Sequence, residues 1–261
     1  MKVIVTIKQV YDPATVRVSR TRGTLDTRNA EFMMNPGDRY ALEEGLKLKD
    51  EQGAQVVALS MGAPEAEDTL REALAMNVDQ AILLSDEAFS DVDTSAAVMV
   101  VGEGIKKIGE YDMVLTGHRA SGDGSGQFGP QLAEYLGVPQ ITRASELVVE
   151  NGQARARHDV AGGYSLMEAP LPLLISVADG ANEPRHPTVP GSIAAYDERT
   201  VTIWGAEDLG LTPEQIAEAS VTEVRGTAAA EGREKGRVII SEPGEAAREL
   251  LRELKGMGFV K

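Results

Sequence analysis

Short apolar runs recur along the chain at Val3–Ile7, Gln55–Ser60, Gln80–Leu84, Tyr111–Thr116 and Leu173–Val177. They are rich in Val, Ile and Leu and are bounded by turn residues, the pattern of strands buried on both faces. Helical periodicity fills most of the gaps. Asn35-Pro-Gly-Asp38 opens a helix with Asn35 at the N-cap and Pro36 at the first helical position, and Ala41, Leu42, Gly45 and Leu46 form its core face. Pro64 starts another after Ser60-Met-Gly-Ala63, with Ala66, Leu70, Ala73 and Leu74 on one side. Asp93 or Thr94 caps a third helix that ends near Ile108, and Phe128, Leu132, Tyr135 and Leu136 recur at the spacing of a fourth. Strands alternating with helices in this way predict an α/β fold, a parallel sheet with helices on both faces.

The pattern changes after about residue 143. Asn151-Gly152 separates two extended runs, a strong hairpin signal, and Val160-Ala-Gly-Gly163 marks a further turn before Tyr164–Met167. An antiparallel insertion over about 144–170 is therefore expected before the last core strand. Residues 182–190 hold three prolines and are expected to be irregular, whereas Val201–Trp204 reads as a short strand. Ser220 to Lys235 is polar and lacks apolar periodicity, an extended or loosely held arm. Glu245 to Leu254 is amphipathic, with Leu250, Leu251 and Leu254 on one side, and suits packing on its own domain or on another chain. The expected organisation is an α/β domain over 1–205 and a C-terminal arm with a terminal helix over 206–261.

Composition narrows the function. Acidic residues number 41 against 26 basic, a net charge of −15 that opposes non-specific binding to nucleic acid or an anionic membrane. The chain has no cysteine, which removes disulfides, thiolate metal sites and a Cys nucleophile; its three histidines, His118, His158 and His186, lack ligand spacing. No apolar run is long enough for a membrane span. The first residues enter a strand directly, so no targeting peptide is expected, and a bacterial or archaeal cytoplasmic protein is the natural expectation.

The most informative stretch is Leu115-Thr-Gly-His-Arg-Ala-Ser-Gly-Asp-Gly-Ser-Gly-Gln-Phe-Gly-Pro130. A strand feeding a glycine-rich loop and then a helix N-terminus brings backbone N–H groups to one point, where a negative charge is favoured. The same stretch also suits a surface turn. In a parallel sheet ligands bind beyond the carboxyl ends of the strands. Four loops share that edge: Thr6–Val10, Asn35–Asp38, Ser60–Ala63 and Gly117–Gly129. Together they outline a nucleotide-shaped cleft, with sugar and phosphate contacts from the backbone of Gly122–Gly129 supported by Ser125 and Gln127. Asp123 suits a ribose hydroxyl or a helix cap, and Met61 an adenine face or core filling. His118 and Arg119 suit either positive charge at the site or a solvated loop, and Phe128 a pocket floor or core. No Ser–His–Asp set or carboxylate pair suggests chemistry of the chain's own.

Several segments resemble the beta subunit of electron transfer flavoprotein, in order along nearly the whole chain. They include Val5 to Asp12, Met34-Asn-Pro-x-Asp38, Ala41-Leu-Glu-Glu-Gly-Leu-Lys-Leu-Lys49, Ser60-Met-Gly62, Leu70-Arg-Glu-Ala-Leu-Ala-Met76 and Ala81-Ile-Leu-Leu-Ser-Asp86. Asn182-Glu-Pro-Arg185, followed by Ala206-Glu-Asp-Leu-Gly210, is the most specific. The continuation Gln127-Phe-Gly-Pro-Gln131 is more similar to the bifurcating and nitrogen-fixation-associated branch than to the mitochondrial-type branch.

The resemblance implies a Rossmann-like adenine nucleotide-binding domain, of the adenine nucleotide alpha hydrolase-like kind. It implies an electron carrier without a catalytic acid, base or nucleophile, in a heterodimer with an alpha subunit. FAD would be shared with that subunit, and AMP or the ADP part of a second FAD would sit in this one. Implied redox partners are a donor dehydrogenase and an acceptor such as a quinone oxidoreductase or ferredoxin. Carried over by residue, the cofactor contacts are Thr6; Asn35, Pro36, Gly37 and Asp38; Met61 and Gly62; and Gly117, His118, Arg119, Ala120, Ser121, Gly122, Asp123, Gly124, Ser125, Gly126, Gln127 and Phe128. The implied partner-recognition loop covers about 181–190 and includes Ala181, Asn182, Glu183, Pro184 and Arg185. Two other classes share parts of the pattern. One is a universal-stress-type ATP-binding regulator. The other is a pyrophosphatase-loop ligase, which favours Ser-Gly-Gly-x-Asp-Ser where this chain has Lys8-Gln-Val-Tyr-Asp12.

Overall fold

A computed structural model describes residues 1–18, 24–122, 124–223, 225, 236 and 238–260. The chain runs β1 (Lys2–Thr6), β2 (Gln9–Tyr11), β3 (Arg17–Val18), β4 (Leu25–Asp26), β5 (Phe32–Met34), α1 (Pro36–Gln52), β6 (Gln55–Met61), α2 (Glu67–Ala75), β7 (Gln80–Leu84), α3 (Thr94–Ile108) and β8 (Met113–Gly117). It continues with α4 (Phe128–Leu136), β9 (Gln140–Glu150), β10 (Gln153–Val160), β11 (Gly163–Pro170), β12 (Leu173–Val177), α5 (Val189–Asp197), β13 (Val201–Trp204), α6 (Pro213–Ala219) and α7 (Pro243–Gly256). Residues 1–17 and 25–225 form one compact unit, and 18–24 with 226–261 a second, smaller one.

The large unit is built on a nine-stranded sheet in the order β11-β10-β9-β12-β8-β1-β6-β7-β13. Every neighbouring pair from β9 to β13 is parallel, and β9-β10-β11 is antiparallel. The α/β reading and the antiparallel insertion both appear in this topology. β1 explains the arrangement best. Val3 and Val5 point into a core shared with α1, α2 and α5, and Ile4 points into a second core shared with α3, α4 and α6. All three are fully buried. Burying a side chain of this size stabilises the fold by about 1.5–3 kcal/mol. A sheet covered on both faces requires apolar residues at consecutive positions.

β1 lies between β8 and β6, so the chain leaves it in opposite directions and opens a crevice at the carboxyl ends of β1 and β8. The Asn151-Gly152 hairpin forms as expected, with φ of 53° and 75° at the two turn residues.

Local differences from the sequence reading have physical causes. The strand expected from Tyr111 begins at Met113, because the Asp112 carboxylate turns aside to accept the Lys2 N–H at 2.7 Å. Pro64 opens a three-residue 3-10 turn that leads into α2. Residues 189–190, expected to be irregular, begin α5: Thr188 Oγ1 accepts the Gly191 N–H at 3.1 Å, and Pro190 falls in the first turn, where no N–H is needed. Residues 206–219 pack into the large unit, with Ile216 of α6 buried in the second core. Of the polar arm, 220–223 and 225 are described and the rest of 220–235 is not. In the small unit α7 is amphipathic, with none of its residues buried and Leu250 and Leu251 about half exposed.

Candidate functional site

Three of the four loops at the carboxyl edge are joined by one buried carboxylate. Asp38, in the first turn of α1, accepts the Lys8 N–H at 2.8 Å, the Asn35 Nδ2–H at 2.9 Å and the Gly117 N–H. One side chain therefore ties the loop after β1, the start of α1 and the end of β8. Burial pushes its pKa up to about 7, while the N–H donors pull the other way.

Asn35 extends the link. It occupies the N-cap position of α1, but its side chain makes no capping bond. Instead Nδ2 also donates to Arg119 O at 2.9 Å, and Oδ1 accepts the Ser121 N–H at 3.1 Å. The expected cap is in fact a brace for the glycine loop. Gly117 makes the junction possible, since a Cβ there would lie 2.2 Å from Asp38 Oδ1 and 2.7 Å from the Gly37 carbonyl carbon.

Two cavities open around this junction. The first, about 390 Å³, is walled by Thr6, Ile7, Lys8, Leu59, Met61, Val92, Asp93, Thr94, Ala97, Val101, Phe128 and Thr222. Its apolar residues suit a planar ring and its hydroxyls give that ring a polar edge. The second, also about 390 Å³, is lined by Asn35, Pro36, Gly37, Tyr40, Arg119, Ala120, Ser121, Gly124 and Asp179. Ten of the site residues read from the sequence line one hollow or the other, whereas Asp38, Gly62, Gly117, His118, Gly122, Ser125, Gly126 and Gln127 line neither. Thr6, Met61 and Phe128 face the first, and the α1 start and the early glycine loop face the second. Gly62 lines neither; it closes the turn after β6, with its N–H on Leu84 O at 3.1 Å.

The glycine loop itself is shaped for close approach. Gly124 and Gly126 have φ of 63° and 66°, a region that disfavours side chains, and nothing lies within 4 Å of where a Cβ would sit on Gly122 or Gly124. Gln127 occupies the N-cap position of α4 without a side-chain capping bond, and its N–H meets Ser125 Oγ at 3.4 Å. Beneath the loop, Thr116 Oγ1 and Ser60 Oγ are buried without a partner among the described residues. A Cβ on Gly129 would lie 3.0 Å from Thr116 Oγ1, so that hydroxyl is directed at the start of α4. Asp123 lies outside the described residues.

The two basic residues differ. His118 lies under Gly126, with a buried Nδ1 that has no partner among the described residues. Its pKa is pushed down by burial and by the nearby Arg143, which disfavours the positive charge suggested for it. Arg119 is exposed and pairs with Asp179 at 3.2 Å. Sequence reasoning placed Lys8 only within the Thr6–Val10 loop, missed Tyr40, Asp179 and Thr222 as cavity walls, and read Asp93 only as a helix cap.

The 181–185 segment is anchored to α1. Asn182 Nδ2 donates to Tyr40 O at 2.9 Å and to Glu44 Oε1 at 2.7 Å. Arg185 pairs with Glu43 at 2.9 Å and with Asp50 at 2.8 Å, and these acidic partners push its pKa up. Glu43 and Glu44 are buried, so they need these donors. Ala181 packs against the first core, Pro184 is half-buried, and Glu183 faces out. Beyond them, Val189, Ile193 and Tyr196 form an exposed apolar stripe along α5. Among the described residues no acidic or histidine cluster could hold a metal, and no helix is long and apolar enough to cross a membrane.

Comparison with known proteins agrees with this arrangement. The profile of the Electron transfer flavoprotein domain matches residues 22–208. The chain is 37% identical over 261 residues to an electron transfer flavoprotein subunit beta of Clostridium acetobutylicum, covering 100% of both chains. It is 38% identical over 226 residues to the caffeyl-CoA reductase-Etf complex subunit CarD of Acetobacterium woodii, covering 86% of each. It is 35% identical over 220 residues to protein FixA of Azorhizobium caulinodans, covering 81% of this chain and 77% of that one. The universal-stress and ligase alternatives give way to this match. The chain belongs to the electron transfer flavoprotein beta-subunit family, whose members are electron carriers rather than catalysts.

Proposed function

We propose that this chain binds an adenine nucleotide at the carboxyl edge of its sheet, either AMP or the ADP part of a second FAD. On this reading it pairs with an alpha subunit and shares with it the FAD that receives and passes on electrons. The observation that carries the reading is the junction at Asp38, which braces a glycine loop and an uncapped helix start beside a largely apolar cavity of about 390 Å³. Adenine suits the first cavity, against Met61 and Phe128, with Thr6 at its edge. The phosphates suit the glycine loop, where nothing would meet a Cβ on Gly122 or Gly124 to block approach and the Thr116 hydroxyl has no partner among the described residues. A bound flavin supplies the redox chemistry. The chain's own residues bind it, orient it and exclude water.

A donor dehydrogenase and an acceptor such as a quinone oxidoreductase or ferredoxin complete the proposed path. The 181–190 loop is the proposed recognition element, with Asn182 and Arg185 holding it on α1 and the α5 stripe presented outward. The second hollow beside the first leaves room for the larger dinucleotide, and the reading extends to electron bifurcation as a proposal. The terminal helix is proposed to pack on the alpha subunit, in the cytoplasm of a bacterium or archaeon.

Titration calorimetry with AMP and with FAD tests the nucleotide reading. Phe128→Ala is expected to weaken either ligand by about tenfold, since losing a buried aromatic contact costs ~1.4 kcal/mol or more of binding. Wild-type affinity in that variant would remove the first cavity from the site.

A further inference from the structure

At the mouth of the first cavity Asp93 does more than cap a helix. Its Oδ1 accepts the Ala96 N–H at 3.0 Å, which is the cap of α3. Its Oδ2 accepts the Val221 N–H at 2.9 Å, the Thr222 N–H at 2.8 Å and the Thr222 hydroxyl at 2.8 Å. Its own N–H donates to Ser220 Oγ at 3.2 Å. An N-cap needs one oxygen, and here the other is given wholly to the first residues of the C-terminal arm. Among the described residues, the Ser220 N–H also donates to Ala217 O at 3.2 Å at the end of α6, while residues 221 and 222 are exposed. Val221 is 75% exposed, so apolar burial does not seat the segment.

The position of this clip gives it a consequence. Asp93, Thr94 and Thr222 wall the same cavity as Thr6, Met61 and Phe128, so the arm's first residues complete the cavity. We propose that Asp93 is a positioning residue that clips Ser220–Thr222 across the cavity mouth, so that a nucleotide base in the cavity and the clipped arm stabilise each other. The proposal rests on the reading that this cavity takes the base. By linkage the coupling runs both ways: a ligand touching the Thr222 wall favours the closed clip, and the closed clip raises ligand affinity. Each charge-assisted bond on Oδ2 is stronger than a neutral one, so one carboxylate oxygen can hold residues 221 and 222, with the Asp93 N–H holding Ser220.

Asp93→Ser separates the two roles, because serine caps a helix well but is too short to hold residues 221 and 222. Thr222→Val removes one of the three bonds and leaves the backbone bonds in place. Calorimetry with AMP and hydrogen exchange of the 220–223 segment are measured on the full chain and on both variants. In the wild type, saturating AMP slows exchange at residues 221 and 222 by about tenfold or more, the span of an ordinary coupling energy. In Asp93→Ser exchange there is fast with or without AMP, and the AMP dissociation constant rises about tenfold. Thr222→Val falls between the two. AMP binding to the wild type with unchanged exchange at 221–222, or wild-type affinity in Asp93→Ser, overturns the coupling. No AMP binding to the wild type overturns the nucleotide reading instead, and the coupling with it.

Discussion

Gly117→Ala tests how the site is assembled. The added Cβ would lie 2.2 Å from Asp38 Oδ1, 2.7 Å from the Gly37 carbonyl carbon and 2.8 Å from Asp38 N. Two of these three atoms are backbone at the start of α1, which cannot swing aside as a side chain would. Either the helix start moves away from β8 or the strand end bends. Overpacking of this kind costs about 1–3 kcal/mol. Moving Asp38 also loosens the bonds from Gly117 and Lys8, and a hydrogen bond to a charged group contributes about 1.5–3 kcal/mol. These losses share one cause and do not simply add, so the expected destabilisation is about 3 kcal/mol. Urea unfolding reads it as a lower midpoint at constant slope. Gly122→Ala is the control. Nothing lies within 4 Å of its Cβ position, so stability should stay within about 0.5 kcal/mol while AMP affinity falls. A Gly117→Ala protein within about 0.5 kcal/mol of wild type would refute the claim that α1 is seated through this glycine.

Three further outcomes are expected. Asp38 has a folded pKa raised from 3.8 to about 7, so between those values the folded state holds the proton more tightly than the unfolded chain. This site alone makes stability fall as pH rises through that window, by up to about 4 kcal/mol; Asp38→Asn should flatten the profile there, and an unchanged slope would contradict the assignment. Arg185→Ala leaves the buried Glu43 without its guanidinium, with only the residue-185 backbone N–H still donating to it among the described residues, and should cost about 3 kcal/mol in urea unfolding. The Arg185→Ala/Glu43→Ala double variant should recover part of that loss, and full additivity would show the pair is not coupled. With a net charge of −15, electron transfer to a basic partner should slow as salt rises from about 0.01 to 0.15 M, and a flat rate in stopped-flow would rule out steering.

How far the sequence speaks depends on the distance over which each residue acts. Gln80–Leu84 and Leu173–Val177 are strands with the bounds the apolar runs suggest, because a doubly covered strand is specified by its own residues, and the edge strand Val201–Trp204 also keeps its expected bounds. Asp93 is a legible cap for the same reason: its partner Ala96 is three residues away. Its second partner set, 127 to 129 residues further on, has no local signature. Asn35 shows the limit from the other side. The Asn-Pro pair does mark the start of α1, yet the amide is drawn 86 residues away to Ser121, a competition that local rules cannot decide. Asn182-Glu-Pro-Arg185 is conspicuous as a motif, but the buried Glu43 and Glu44 that explain two of its residues lie on a helix 138 or more residues earlier. The division of the edge into two hollows follows from such long-range bonds.

The central claim is that this beta-family chain holds a nucleotide of its own beside the shared flavin. Co-expression with the alpha subunit, denaturation of the purified heterodimer and quantification of released FAD and AMP test it most directly. The account predicts a second nucleotide per heterodimer, either a second FAD or one AMP, and its loss when Phe128→Ala and Gly122→Ala are combined. One FAD and nothing further would contradict it.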